Sequence, residues 1–333
     1  MANRAMTSKQ RVVVSRRIFA ALVDELRGEF DLLSNQDDVA WNAGELSAAL
    51  RDADGALLTA GDRIDDALLA QCPSLKVVAN IAVGYNNLDL AACTRHGVLA
   101  TNTPDVLNEA TADHAWALLL AAARRVGESE RWVRAGQWKR WTFEMFMGAE
   151  VSGTTLGILG MGRIGRAIAR RASGFSMSVM YHNRTRLTAE LEGDARHVEL
   201  PELLRGSDHL VLVVPYSTTV HHLIDAGALA QMKRTAVLVN IARGGVVDDA
   251  ALVAALRAGR LAAAGLDVFE NEPAPHPGLL ELENVVMTPH IASSTRATRA
   301  AMARLAISNL RQALAGQPPP SLLNPDVLQN RRR

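Results

Sequence analysis

Three apolar runs in the second half of the chain each lead to a side chain able to do chemistry. "AVLVNI" runs into "ARGG" with Arg243, "AAAGLDVF" carries Asp267 and runs into "ENEP" with Glu272, and "NVVMTP" stops at His290. As neighbouring parallel strands they would bring one guanidinium, two carboxylates and one imidazole to the sheet edge where open α/β sheets bind ligands. That set suits reduction of a small 2-oxo acid. Arg243 can grip a carboxylate through two parallel N–H donors and polarise the adjacent carbonyl. His290 can give a proton to the carbonyl oxygen as general acid while hydride reaches the carbon. Glu272, bonded to the far ring nitrogen, would orient the imidazole for that step. Each has a plainer reading too: Arg243 as a surface arginine in a glycine-rich turn, Glu272 as a loop acid, His290 as a structural histidine.

The hydride needs a carrier, and "TLGILGMGRIGRAIA" offers it a place. Gly160, Gly162 and Gly165 form G-x-G-x-x-G between a strand-like run and a helical one. The first glycine permits the tight turn, the second lets backbone approach a pyrophosphate, and the third allows close helix-to-strand packing. The helix N-terminus adds free N–H groups and a partial positive charge. In an NAD site an Asp or Glu follows roughly 20 residues later and binds the ribose hydroxyls. Here "YHNRTR" stands instead, with His182, Asn183, Arg184 and Thr185. A carboxylate would repel the 2′-phosphate of NADP, whereas a guanidinium and a hydroxyl bind it, and Asn183 reaches the ribose without charge. The stretch therefore predicts NADP(H), with NADPH strongly preferred over NADH. The alternative is a solvated loop face at Arg184 and Arg186.

These groups need a scaffold of alternating strands and helices, and the sequence carries two such series. The first holds "RVVVS", "FDLLSN", "GALLT", "LKVVAN" and "VLATNT", with no phosphate turn of its own. One long alanine-rich helical stretch follows from "NTPDVLNEATADHA" to "ERWVRAGQW", opened by Pro104 and Asp105. A second series starts at "TLGILG", and the closing helix "TRATRAAMARLAISNLRQALAG" is expected to return to the first domain. The expected domains are 1–104 with 295–333, binding substrate, and 105–294, binding NADP.

Composition narrows the class. A net charge of +1 gives no field to attract nucleic acid or anionic lipid, so an anionic ligand must be recognised locally. Cys72 and Cys93 are too few for a disulfide framework and lack metal-ligand spacing, which suits a reducing compartment. No apolar run reaches the roughly 18 residues of a membrane span and no secretory leader stands out, so a cytoplasmic protein is expected. A zinc site at His221, His222 and His290 is disfavoured, because adjacent histidines on an extended segment point to opposite sides. No metal is expected, and no G-x-S-x-G elbow or cysteine nucleophile competes.

The motifs "AVGYNNLDL", "NTPDVLNEATADHA", "LGILGMGRIGRAIA", "VNIARGGVVDDAAL", "GLDVFENEP" and "TPHIASST" resemble, over nearly the whole chain, the D-isomer-specific 2-hydroxyacid dehydrogenase family in its glyoxylate/hydroxypyruvate reductase branch. The resemblance implies an α/β protein of two doubly wound parallel-sheet domains, a flavodoxin-like substrate domain and an inserted Rossmann NAD(P)-binding domain. It makes Arg243, Glu272 and His290 the catalytic arginine, glutamate and histidine, acting on small 2-oxo acids. Val83 and Gly84 match the loop whose backbone holds the substrate carboxylate. Thr111, Ile241, Ala242 and Asp267 match the lining of the nicotinamide half, Asp267 accepting from the carboxamide. Gly162, Arg163 and Ile164 match pyrophosphate contacts, and Val214 and Pro215 the adenosine cover. A homodimer is implied, with the helix after Pro104 at its centre. So is a tryptophan reaching the active site from the partner subunit, matched by Trp141 or less closely Trp138.

Two departures bear on this. Tyr216 stands where many relatives carry leucine, which leaves the adenosine edge open. The chain stops soon after the closing helix, with no room for the regulatory extension of many phosphoglycerate dehydrogenases. Competing expectations are reduction of 2-ketogluconate or another 2-oxo acid, formate or phosphite oxidation, and, in a different class, a cofactor-sensing co-regulator.

Overall fold

The structure is a computed structural model that describes residues 9–332. The chain divides into two compact units: one runs up to Leu107 and resumes at Thr295, and the other is Asn108–Ser294.

In the first unit β1 (Arg11–Val14), α1 (Ala20–Glu29), β2 (Asp31–Ser34), α2 (Ala43–Leu50), β3 (Gly55–Leu58), α3 (Asp66–Ala70), β4 (Val77–Asn80), α4 (Leu90–Arg95) and β5 (Leu99–Thr101) alternate. Among the described residues they form a five-stranded sheet in the order β2-β1-β3-β4-β5, parallel throughout. A parallel sheet must be covered on both faces, and the period-2 side chains show how. Val12 and Val14 join Leu22 and Leu26 of α1 on one face, while Val13 joins Leu46 and Leu50 of α2 on the other. Asn42 and Glu45 close a capping box on α2, and Asp65 and Asp89 cap α3 and α4.

The second unit opens with α5 (Asn108–Ala123) and α6 (Val126–Arg134). The expected single long helix is thus broken, by the turn at Arg125 and by a later segment that packs on the end of α5. Arg125 adopts a left-handed φ of 54° and turns its guanidinium onto Glu128 at 2.7 and 2.8 Å. The last carbonyl of α5, at Ala123, is taken by the Ala149 N–H at 2.8 Å, and the chain passes so close there that only glycine fits at 148.

The series continues with β6 (Thr155–Leu159), α7 (Arg163–Ala172), β7 (Ser178–His182), α8 (Ala189–Glu192), β8 (Arg196–His197), α9 (Leu200–Gly206) and β9 (His209–Leu212). It ends with α10 (Ala226–Gln231), β10 (Val237–Asn240), α11 (Asp249–Arg257), β11 (Ala263–Leu266), α12 (Pro277–Leu280) and β12 (Val285–Met287). The described strands form a seven-stranded parallel sheet in the order β12-β11-β10-β9-β6-β7-β8. The strand order reverses between β6 and β9, the position where such sheets open a ligand crevice. Leu210 and Leu212 of β9 face one core, and Val211 faces the other beside Leu118 and Leu119 of α5.

The closing helix α13 (Arg296–Leu314) belongs to the first unit and lays Ala303, Ala306, Ile307 and Leu310 against Val12, Leu57 and Val77. A Cβ on Gly55 would come within 2.7 Å of Leu310, so the missing side chain sets how closely α13 approaches β3. Beyond it, Asn324 is buried and bonds the Ala100 N–H at 2.9 Å and the Val98 carbonyl at 3.0 Å. Burial pushes the Cys93 thiol up to about 12, which leaves it without thiolate character. No helix of the described residues is long and apolar enough to cross a membrane.

His209, at the start of β9, is fully buried, with Nε2 on the Glu150 carbonyl at 2.9 Å and Nδ1 without a partner. Burial pulls its pKa below the ordinary 6.5. The unfolded chain therefore takes up this proton first, and stability is lost as pH falls below 6.5 toward the folded pKa. Urea unfolding at pH 7.5, 6.5 and 5.5 should show a declining midpoint, with His209 contributing at most about 1.4 kcal/mol per pH unit. The decline should be shallower in His209→Gln.

Candidate active site

The glycine turn follows β6. Gly160 has a φ of 102°, and a Cβ there would sit 2.9 Å from backbone atoms of Val213 and Val214. A Cβ on Gly165 would lie 2.4 Å from the Gly160 carbonyl oxygen, so the turn closes onto its helix only without side chains. Gly162 is the N-cap of α7, a ten-residue helix with no side-chain cap and no acid in its first turn. Arg163 and Ile164 begin that turn. The cradle fits a pyrophosphate: backbone N–H groups, an uncapped helix end and no repelling carboxylate.

The end of β7 lies beside this turn, since Leu159 pairs with His182 and the Gly160 N–H bonds the His182 carbonyl at 3.0 Å. Asn183 Oδ1 accepts from the Met161 N–H at 2.7 Å, so this amide braces the turn. Arg184 and Thr185 are exposed. Arg186 is committed elsewhere, bonding the buried Glu192 carboxylate, which also receives the Tyr181 hydroxyl. His182 is turned to the Val198 carbonyl and stacks on His197. Val214 is half-buried and Pro215 exposed beyond β9, Thr111 is buried on α5, and Ile241 and Ala242 are buried after β10.

The three strand ends noted in the sequence meet. Asn240, fully buried at the end of β10, accepts from the Ala242 N–H and donates to the Arg243 carbonyl, both at 3.0 Å, so one amide shapes the arginine turn. Arg243 is half-buried and donates to the Ala242 carbonyl at 2.7 Å. Burial pulls its pKa below the ordinary value, and the Glu272 carboxylate offsets only part of that. Next to it, a Cβ on Gly244 would fall 1.8 Å from the Phe269 carbonyl carbon, so the turns carrying Arg243 and Glu272 touch backbone to backbone.

Glu272 uses both oxygens, one accepting from the Phe269 N–H at 3.0 Å and the other facing His290 Nδ1 at 2.8 Å. Burial pushes its pKa up, but His290, the Phe269 N–H and Arg243 together outweigh this and hold it below the usual range. It is a carboxylate at neutral pH. With Nδ1 on Glu272, the remaining ring nitrogen of His290 is Nε2.

His290 itself sits at a φ of 54°, a conformation that a non-glycine residue keeps only when its surroundings impose it. Asp267 supplies that constraint. Its fully buried carboxylate accepts from the Thr288 hydroxyl and the Ile291 N–H, both at 2.7 Å, and from the Ala292 N–H at 2.8 Å. Its own carbonyl takes the His290 N–H at 2.9 Å. His114 on α5 bonds Thr288 Oγ1 at 2.9 Å and completes the group. Sequence reading missed the bracing roles of Asn240, His114 and Thr288. The only available signal was a polar residue closing an apolar run, as in "LVNI" and "VMTP".

Val83 and Gly84 lie in the first unit after β4, where Asn102 and Asn80 donate to their carbonyls at 2.8 and 2.9 Å. Trp141 is 69% exposed, edge-on to Phe143 at 6.3 Å. His221 and His222 do not point apart as an extended segment requires. His222 takes a φ of 52°, and the two rings stack with centroids 4.0 Å apart; their third neighbour is Glu270, not His290.

Residues 116–292 match the model of the D-isomer specific 2-hydroxyacid dehydrogenase, NAD binding domain. The chain belongs to the D-isomer-specific 2-hydroxyacid dehydrogenase family. Within it the sequence falls in the glyoxylate reductase branch. It is 47% identical to a glyoxylate reductase of Thermococcus onnurineus over 97% of this chain and 98% of that one, and 45% identical to one of Pyrococcus furiosus over the same shares. Among solved structures, an NADPH-dependent glyoxylate/hydroxypyruvate reductase of Sinorhizobium meliloti, in complex with NADP and malonate, is 35% identical with a TM-score of 0.87, over 98% of this chain and 99% of that one.

The contact of Gly244 with Phe269 cannot yield, because both sides are backbone. Gly244→Ala should cost at least about 1–3 kcal/mol in urea unfolding. Turnover should fall with it, since Arg243 and Glu272 are displaced together.

Proposed function

We propose that the chain reduces glyoxylate to glycolate and hydroxypyruvate to D-glycerate with NADPH. The observation that carries this reading is the Glu272–His290 pair, bonded at 2.8 Å on turns that adjoin Arg243. When bound, reduced nicotinamide supplies a hydride. Arg243 holds the substrate carboxylate and draws electron density from the neighbouring carbonyl. With that hydride supplied to carbon 2, His290 Nε2 would pass its proton to the carbonyl oxygen, giving the 2-hydroxy acid. Glu272 fixes the ring through Nδ1 and so leaves Nε2 as the nitrogen available for the transfer. Asp267, Thr288 and His114 keep the histidine turn in place; Asn240 does so for the arginine turn.

For the cofactor, Gly160, Gly162, Arg163, Ile164 and Gly165 would hold the pyrophosphate, and Arg184 with Thr185 the 2′-phosphate. The preference for NADPH is supported by the absence of a carboxylate at the exposed end of β7 and by the NADP-bound Sinorhizobium relative. Thr111, Ile241, Ala242, Val214 and Pro215 would line the rest of the dinucleotide. Exposed Trp138, Trp141, Phe143 and Met147 on the second unit support a homodimer, with Trp141 offered to the active site of the partner subunit.

Two experiments test this. Across glyoxylate, hydroxypyruvate, pyruvate and 2-ketogluconate, NADPH oxidation should be fastest with the first two, and His290→Ala should lower kcat about 10²- to 10⁴-fold while NADPH binding persists. Absence of turnover with every 2-oxo acid would favour a co-regulator. With glyoxylate, kcat/KM for NADPH should exceed that for NADH by about ten- to a hundredfold, and Arg184→Asp should remove most of that ratio. Equal efficiency with both cofactors in the wild type would refute the selector role of Arg184.

A further inference from the structure

Behind the catalytic turns lies a polar cluster that the proposed reaction does not use. His221, His222 and Glu270 each offer a ligand atom, and these atoms lie within 4.8 Å of one another. The His222 backbone is pinned by its N–H to the Gly245 carbonyl at 2.8 Å, and its φ of 52° turns the ring back against that of His221. The rings are 22° from parallel at 4.0 Å. His222 Nε2 bonds the Glu270 carboxylate, and its Nδ1 faces Asp248 at 3.9 Å. His221 Nδ1 meets the Tyr216 hydroxyl at 3.1 Å.

An ion pair accounts for one imidazole and Glu270, whose hydrogen bond raises the pKa of His222. The ion pair does not use the second imidazole, although that ring also offers a ligand atom within 4.8 Å of the other two groups. A cation shared by both rings and the carboxylate accounts for all three. Zinc binds nitrogen and carboxylate oxygen at about 2.0–2.2 Å, and rotation of the two rings out of their stack would turn their in-plane lone pairs onto one ion shared with the carboxylate. Two imidazoles favour zinc, nickel or cobalt over magnesium or calcium. An outer hydrogen bond is the usual support of a metal-bound histidine, and the Tyr216 hydroxyl at His221 Nδ1 supplies one, leaving Nε2 for the ion. His221 is exposed, so a fourth position is open to water.

We infer that His221, His222 and Glu270 form a binding site for one divalent transition-metal ion, supported by Tyr216. The ion would tie the segment after β9 to the segment after β11, two residues before Glu272.

Titration of the untagged, EDTA-treated and dialysed full chain with zinc chloride by calorimetry tests this. One zinc per chain is expected, with a raised thermal midpoint and no response to magnesium chloride. His221→Ala should weaken zinc binding at least about tenfold, and Glu270→Gln similarly. If alanine at 221 leaves the chain aggregated, His221→Gln provides the same comparison. Absence of saturable zinc binding in the wild type would overturn the assignment. Unchanged affinity in folded variants at 221 would do so too. Both readouts are independent of turnover, so they stand apart from the proposed reaction.

Discussion

One buried carboxylate sets the geometry of the proposed chemistry. Asp267 is out of water, and a charge there is tolerable only because the Thr288 hydroxyl and the Ile291 and Ala292 N–H groups converge on it. The same bonds bend the chain so that His290 can hold a left-handed φ and present its Nδ1 to Glu272. Resemblance assigns Asp267 to the nicotinamide carboxamide. Its dominant role in the structure is to organise the histidine turn, and a substitution there acts on the imidazole without touching it.

A similar division of labour holds at the cofactor turn. Asn183 stands where a carboxylate belongs in an NAD fingerprint, yet its amide oxygen is spent on the Met161 N–H. Arg184 is exposed and is the residue proposed to select the cofactor, while Arg186, its near neighbour in sequence, pairs with buried Glu192. Two arginines two positions apart thus stand in unlike surroundings, one exposed and one paired with a buried acid.

Much of this was legible in the sequence. The parallel α/β series, the glycine turn and the meeting of Arg243, Glu272 and His290 follow from residue types at the ends of apolar runs, because a parallel sheet gathers those ends on one edge. The break between α5 and α6 was hidden, since alanine-rich helical spacing runs on to Arg124 and the interruption comes from Gly148 passing over Ala123. The stacked His221 and His222 were misread because strand alternation assumes extended backbone, and His222 leaves it. The bracing by Asn240 and His114 depends on partners distant in space, which periodicity does not report.

The return of α13 to the first unit also governs the order of assembly. As the chain leaves the ribosome, β1 to β5 emerge first but lack the helix that covers Val12, Leu57 and Val77 until residue 314 is made. The inserted Asn108–Ser294 unit is complete before then. The part synthesised first is therefore finished last, and its apolar face, covered until then only by α1, must wait through the making of the whole inserted unit.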